Sequence, residues 1–187
     1  MALVPVTPPL TPFVIERAGI RLRPWVVGDL ACVADATTDP FIPALTTVPG
    51  VFTTEAGLAF IRRQHGRLAS GEGWAMVIAD ATTDLALGHI GLWLHQIWKG
   101  RAELGYWVAP SGRGRGAAGD ALELLSDWAF AHIDVDRLSL FIEPWNEASI
   151  RTAERAGYVR EAFLERWERV SGEPRNMFSY RRLRVSD

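Results

Sequence analysis

Residues 113–118 read Arg-Gly-Arg-Gly-Ala-Ala, between a strand-like run that stops at Pro110 and a long amphipathic run. This junction constrains the chain more than any other stretch. The first N–H groups of a helix have no partner inside it, and the helix dipole favours an anion there. Glycine and alanine let phosphate oxygens approach the backbone, and glycine accepts the dihedrals of a tight loop. Arg113 and Arg115 add charge and donors. Residues 113–118 are therefore expected to hold a phosphorylated ligand, most simply a pyrophosphate.

The pattern around the loop predicts a mixed sheet. Ile20 to Trp25 alternates and reads as a strand, followed by a helix from Gly28-Asp29 to about Thr37. Thr53-Thr54-Glu55 opens a second helix that runs to about Leu68. Trp74 to Asp80 and Leu85 to Leu94 read as a hairpin, and Arg101 to Ala109 as a third strand. After the loop, Ala118, Ala121, Leu122, Leu125, Ala129 and His132 recur at helical spacing. Arg137 to Glu143 is a strand and Asn146 to Ala156 a helix. Two last strands follow, Tyr158 to Val170 and Arg175 to Val185, joined by a turn at residues 171–174. A right-handed crossover through the helix after the loop makes strands 101–109 and 137–143 parallel. Alternating strands and helices of this kind imply an α/β (α+β) sheet with helices on its faces.

The loop also holds a literal Gly-x-Gly-x-x-Gly at Gly114, Gly116 and Gly119, and Glu143 stands near where a ribose-binding acid would fall. Three features oppose a dinucleotide fold. Pro110 and Ser111 separate the strand from the glycines, arginines fill the loop, and only 44 residues follow Glu143, too few for further βαβ units. A nucleoside-triphosphate loop is excluded by the absence of Gly-Lys-Ser/Thr.

The chain instead resembles the GCN5-related N-acetyltransferase (GNAT) superfamily, whose pyrophosphate loop reads Arg/Gln-x-x-Gly-x-Gly/Ala. Asn146-Glu147-Ala148-Ser149 followed by Glu154-Arg155-Ala156-Gly157-Tyr158 is similar to a signature of the RimJ/RimL-like (ribosomal-protein-alanine N-acetyltransferase-like) subgroup. So is Glu103-Leu104-Gly105-Tyr106-Trp107-Val108. The resemblance implies a mostly antiparallel central sheet with a V-shaped splay between the two parallel strands, helices on both faces, and a single domain over residues 14–187. It implies acetyl-CoA as co-substrate and a primary amine as acceptor, either a protein N-terminus or a small molecule. It also implies cofactor contacts at Trp107, Val108, Arg113, Gly114, Arg115, Gly116, Ala117, Ala118, Asn146 and Ser149. A non-catalytic acyl-CoA-binding module and a transferase of a longer acyl group, such as succinyl, are the alternatives.

Acetyl transfer needs a group that takes the amine's proton, a donor to the thioester oxygen, and a proton for the departing thiolate. Candidate bases are Glu168, Glu143 and Glu103, and each has a plainer account as an exposed or arginine-paired carboxylate. Ser149 is the candidate thiolate donor by resemblance, and its plainer role is to help cap the helix. Asn146 is an N-cap by residue type. Tyr158 is expected to pack in the core. Trp93, Trp98, Trp107, Trp145 and Trp167 fall near strand ends, as cleft walls or as core. Residues 39–52, rich in Pro and Thr, suit a lid.

The net charge of −2 opposes a general nucleic-acid or membrane-surface binder. Cys32 is the only cysteine, so it forms neither an internal disulfide nor a cysteine-based metal site, and it is expected to be buried. The four histidines show no metal-ligand spacing; His89 and His95 are expected to pack or cap. No apolar run of membrane-spanning length and no signal peptide is visible, so a cytoplasmic location is expected. Residues 1–13 read as an irregular leader, broken by prolines, that drapes over the domain or serves as an exchange arm in a homodimer.

Overall fold

The computed structural model describes residues 9–185. Eight strands form one sheet in the order β1-β2-β3-β4-β5-β6-β8-β7. They are β1 Ile15–Arg17, β2 Ile20–Pro24, β3 Gly73–Asp80, β4 Ala86–Trp93, β5 Arg101–Val108, β6 Arg137–Ile142, β7 Val159–Val170 and β8 Glu173–Leu183. Every neighbouring pair is antiparallel except β5 and β6, as the crossover requires. The helices are α1 Leu30–Ala36, α2 Phe41–Leu45, α3 Thr54–Ser70, α4 Ala117–His132 and α5 Glu147–Arg155. No helix among the described residues is long and apolar enough to cross a membrane.

The two faces of the sheet carry separate cores. On one, α4 buries Ala121, Leu122, Leu125 and Ala129 against Leu22, Ile78, Ile90 and Leu138. On the other, α1 and α3 bring Cys32, Val33, Phe60 and Ile61 onto Trp25, Val77 and Trp107. Tyr158 belongs to the first core, where its hydroxyl meets Ser126 Oγ at 2.7 Å. Cys32 belongs to the second, and burial pushes its thiol up to about 12, which removes it as a nucleophile. Leu125→Ala should cost about 2–5 kcal/mol of stability, read from the denaturation midpoint, because the site is sealed and cannot collapse fully.

Several boundaries differ from the sequence reading. Strand β5 stops at Val108 and β6 at Ile142, so Glu143 lies just beyond its strand. The β7–β8 turn is two residues, Ser171 and Gly172, both at positive φ, and Glu173 and Pro174 join β8. Strand β1 and helix α2 were not anticipated. Residues 1–8 of the leader lie outside the described residues. The remainder of the leader packs on its own domain: Leu10 N–H donates to Leu68 O and Phe13 stacks on Trp128 at 3.9 Å.

Candidate active site

Strands β5 and β6 pair only at Arg101–Arg137, Ala102–Leu138 and Glu103–Ser139. Beyond Glu103, β5 remains bound to β4; beyond Ser139, β6 remains bound to β8. The two strands therefore diverge and leave an open edge on each. A cavity of about 560 Å³ fills the wedge, with Tyr106 and Trp107 on one wall and Leu140, Phe141 and Glu143 on the other. It continues past Asn146, Ser149 and Glu168, and past residues 44–47 at the end of α2.

Helix α4 starts where the loop expects it to. Gly116 is the N-cap at φ 77°, and Gly114 has φ 80°, a region that side chains with a Cβ enter only under strain. The first in-helix donor is Gly119, whose N–H meets Gly116 O at 2.9 Å, so the amides of Ala117 and Ala118 precede the ladder. A Cβ at Gly119 would meet nothing within 4 Å. In a dinucleotide fold the third glycine is there for close helix–strand packing; this one is not. Gly119→Ala is accordingly expected to stabilise the fold by about 0.5–1 kcal/mol in thermal unfolding and to leave cofactor binding unchanged.

The two loop arginines have different surroundings. Arg113 donates to Val108 O at 3.1 Å and to Asp39 Oδ2 at 2.6 Å. Burial pushes the Asp39 carboxyl up, but Arg113 and the Phe41 and Ile42 amides outweigh it and hold the group below its ordinary value. Asp39 thus caps α2 and ties it to the loop. Arg115 makes no ion pair among the described residues.

Asn146 Oδ1 accepts from Ser149 N at 3.1 Å, so the asparagine caps α5. The cap uses the Ser149 amide and not its hydroxyl, and Ser149 lines the cavity. Tyr106, which the sequence reading passed over, donates its hydroxyl to Ser149 O at 3.1 Å. Burial pushes that phenol up to about 12. Its signal was its place in Glu103–Val108, which alternates along a strand.

The three glutamates separate. Glu143 is buried, with Arg175 Nε at 3.8 Å. Glu168 reaches the same cavity through a bulge. Leu164 pairs with Met177, and regular pairing would set Arg166 opposite Arg175, yet Glu168 takes that position. Arg166 sits at φ 50° and donates its N–H to Asn176 Oδ1 at 2.9 Å, which fixes the loop-out. Glu168 is open to solvent at the cavity wall. Partial burial, then the charges of Glu103 and Glu143, raise its carboxyl above the usual range. Glu103 does not line this cavity. It is the last paired residue before the splay and borders a smaller cavity with Trp167, and its charge is felt at Glu168. Asn176→Leu is expected to lower kcat about tenfold without changing cofactor affinity, because the bulge loses its side-chain anchor, worth about 1 kcal/mol or more.

Of the tryptophans, Trp93 and Trp107 line the cavity, and Trp93 lies on the facing glycines Gly91 and Gly105; a Cβ at Gly91 would come within 2.2 Å of its ring. Trp145 meets Phe41 of α2 at 4.5 Å, Trp167 lies tilted against Phe141 at 5.4 Å, and Trp98 is exposed.

The acetyltransferase (GNAT) domain family matches residues 20–159. The chain belongs to that family. It is an acyltransferase enzyme of GNAT fold. Among curated relatives, an uncharacterized N-acetyltransferase, p20, of Bacillus licheniformis is 28% identical over 165 residues, 88% of this chain and 93% of that protein. Mycobacterium smegmatis RimJ, solved in complex with CoA-disulfide, shares the fold at TM-score 0.76 and 22% identity, covering 93% of this chain and 86% of that one. The microcin C7 self-immunity acetyltransferase MccE, solved with acetyl-CoA and AMP, does so at TM-score 0.78 and 18% identity, covering 89% and 93%.

Proposed function

We propose that this acetyltransferase moves an acetyl group from acetyl-CoA to a primary amine by direct attack in a ternary complex. The observation that carries the reading is the wedge between β5 and β6, whose cavity runs to Glu143, Glu168 and Ser149. Pantetheine carries amides, and an open strand edge offers them the ladder bonds that a neighbouring strand would make. Ala109 N–H is used by Leu87 O. By the alternation of a strand, this favours Val108 over Trp107 as the amide facing the wedge and the thioester oxygen, with Trp107 supplying its ring to the wall. The diphosphate is assigned to the amides of residues 114–118, with Arg115 as the available cation and Arg113 holding the loop to α2.

The Glu168 carboxylate takes one proton from the bound ammonium, and the neutral nitrogen then attacks the thioester carbon. Partial burial and the charges of Glu103 and Glu143 raise the affinity of Glu168 for that proton, which strengthens it as the acceptor. Glu143 adds negative charge that draws a cationic acceptor into the cavity. The C–S bond then breaks, and the second proton that the nitrogen loses reaches the CoA thiolate through the Ser149 hydroxyl. Residues 14–187 act as one catalytic domain in this scheme. It is tested by thiol release from acetyl-CoA with a panel of peptides and small amines, succinyl-CoA serving as the competing donor. Ser149→Ala is expected to lower kcat about 10- to 100-fold, at or below the usual range for general acid catalysis because a thiolate leaves readily, with KM for acetyl-CoA unchanged. No thiol release with any amine would overturn the reading.

A further inference from the structure

The cavity contains a polar group that the chemistry above leaves unused. His89, on β4, is 94% buried within an aromatic box: Trp107, Trp25 and Trp93 lie at 5.8, 6.0 and 6.3 Å in near-parallel stacks, and Phe60 at 6.4 Å edge-on. Its Nδ1 accepts from Trp25 Nε1 at 3.2 Å. An indole N–H only donates, so Nδ1 must be the bare nitrogen, and the neutral ring carries its hydrogen on Nε2. Burial, reinforced by the charge of Arg67, pulls the imidazole down to about 3. The ring therefore stays uncharged at working pH and has no lone pair left for a proton, so it is not a second base.

His89 Nε2 has no hydrogen-bond partner among the described residues. It is not sealed in either, since the only fully buried and unpaired side-chain atom among them is Arg182 Nη1. His89 lines the main cavity. No protein group accepts from this N–H, so an acceptor oxygen entering the cavity would give it a partner. The other ionisable groups on the wall are Glu72, Glu143, Glu168, Arg67, His95 and Tyr106, whose phenol stays neutral. Arg67 is already committed to Glu72 at 3.4 Å and to the face of Trp93. Glu72 pairs with Arg67 and Glu143 with Arg175, which leaves Glu168 as the carboxylate with no ion pair among the described residues; its charge favours a cationic amine and opposes an anionic acceptor.

We infer that His89 is a specificity-determining residue whose fixed Nε2–H donates to an uncharged oxygen, a carbonyl or amide oxygen, carried by the acceptor amine. Trp25 is the positioning residue that sets the tautomer. The inference rests on the amine-acceptor reading and adds a discrimination to it.

The test uses two amines of matched shape, L-alaninamide and 3-methylbutan-2-amine, which differ in a carboxamide against an isopropyl group. For thiol release, His89→Phe, which keeps a ring and removes the donor, should reduce the preference for the carboxamide in kcat/KM about tenfold. The loss should fall in KM for the amine, with kcat little changed. His89→Gln, which restores a donor, should recover part of it. An unchanged preference in His89→Phe would overturn the inference. Nitrogen-15 spectra of histidine-labelled wild-type protein provide a readout independent of turnover and of any variant's folding. With CoA bound, His89 should show a protonated Nε2 and a bare Nδ1 from pH 8 to pH 5. Its Nε2 signal should shift with L-alaninamide and not with the hydrocarbon amine. A charged ring, the opposite tautomer, or equal response to both amines would overturn it. Thiol release with neither amine, beside a selective Nε2 shift, would count against the transfer reading and not against the His89 contact.

Discussion

Gly116→Glu is expected to weaken acetyl-CoA binding by at least about 100-fold in calorimetric titration. The new carboxylate would stand at the helix N-terminus where a diphosphate binds, and like charges brought together cost several kcal/mol. At about 1.4 kcal/mol per tenfold, about 3 kcal/mol already exceeds two decades. The left-handed backbone at Gly116, φ 77°, adds about 1–2 kcal/mol of strain for a residue with a Cβ, and that cost falls on the fold in free and bound protein alike. A Cβ at Gly116 would have only Asp120 Oδ2 within 4 Å, at 3.8 Å, so the side chain itself is accommodated and the fold should survive. Circular dichroism like that of the wild type, together with lost binding, is the expected pair of results. Retained binding would remove residues 113–118 from the cofactor site.

Glu168→Gln is expected to lower kcat by about 10²–10⁴, the usual contribution of a positioned acid or base, while leaving the acetyl-CoA dissociation constant within about twofold. The pH profile gives a second signature. A carboxyl whose folded-state affinity for its proton is raised is a base only when ionised, so wild-type activity should rise with pH through a value above the ordinary carboxylate range. The stability sign is opposite to that of a salt-bridged carboxylate. The folded state holds this proton more tightly than the unfolded chain does, so ionisation destabilises the fold above the folded value and has no such effect below the unfolded one. Glu168→Gln should therefore match the wild type in melting temperature at pH 4 and equal or exceed it at pH 8. A lower melting temperature at pH 8 with unchanged kcat would make Glu168 a structural carboxylate.

Much of the site was legible in the sequence because its signals are local. A glycine-rich N-cap, a crossover that makes two strands parallel, and an asparagine three residues before a helical serine all act over a few positions, and β5, α4, β6 and α5 lie where those signals put them. What was not legible depends on contacts between distant segments. Helix α2 forms in a proline-rich stretch because Asp39 caps Phe41 and Ile42, with Pro43 in the first turn, where a missing N–H costs nothing. Strand β1 has only three residues and exists by pairing with β2 across Ala18 and Gly19. Glu168 reaches the cavity through a bulge that strict alternation along β7 cannot show; in regular register, an arginine would stand there. Glu103, Glu143 and Glu168 look alike as letters. Glu103 is separated from the others because it belongs to the last rung before the strands part, a property of pairing length. The His89 contact is likewise invisible in sequence, because Trp25 and His89 are 64 residues apart and meet across two strands.

The most direct measurement is calorimetric titration of the purified protein with acetyl-CoA, with NADH as the control ligand. The account predicts saturable one-to-one binding of acetyl-CoA and none of NADH. Binding of NADH in preference, or no binding of acetyl-CoA, would contradict the assignment of the β5–β6 wedge and of residues 113–118 to the acyl donor.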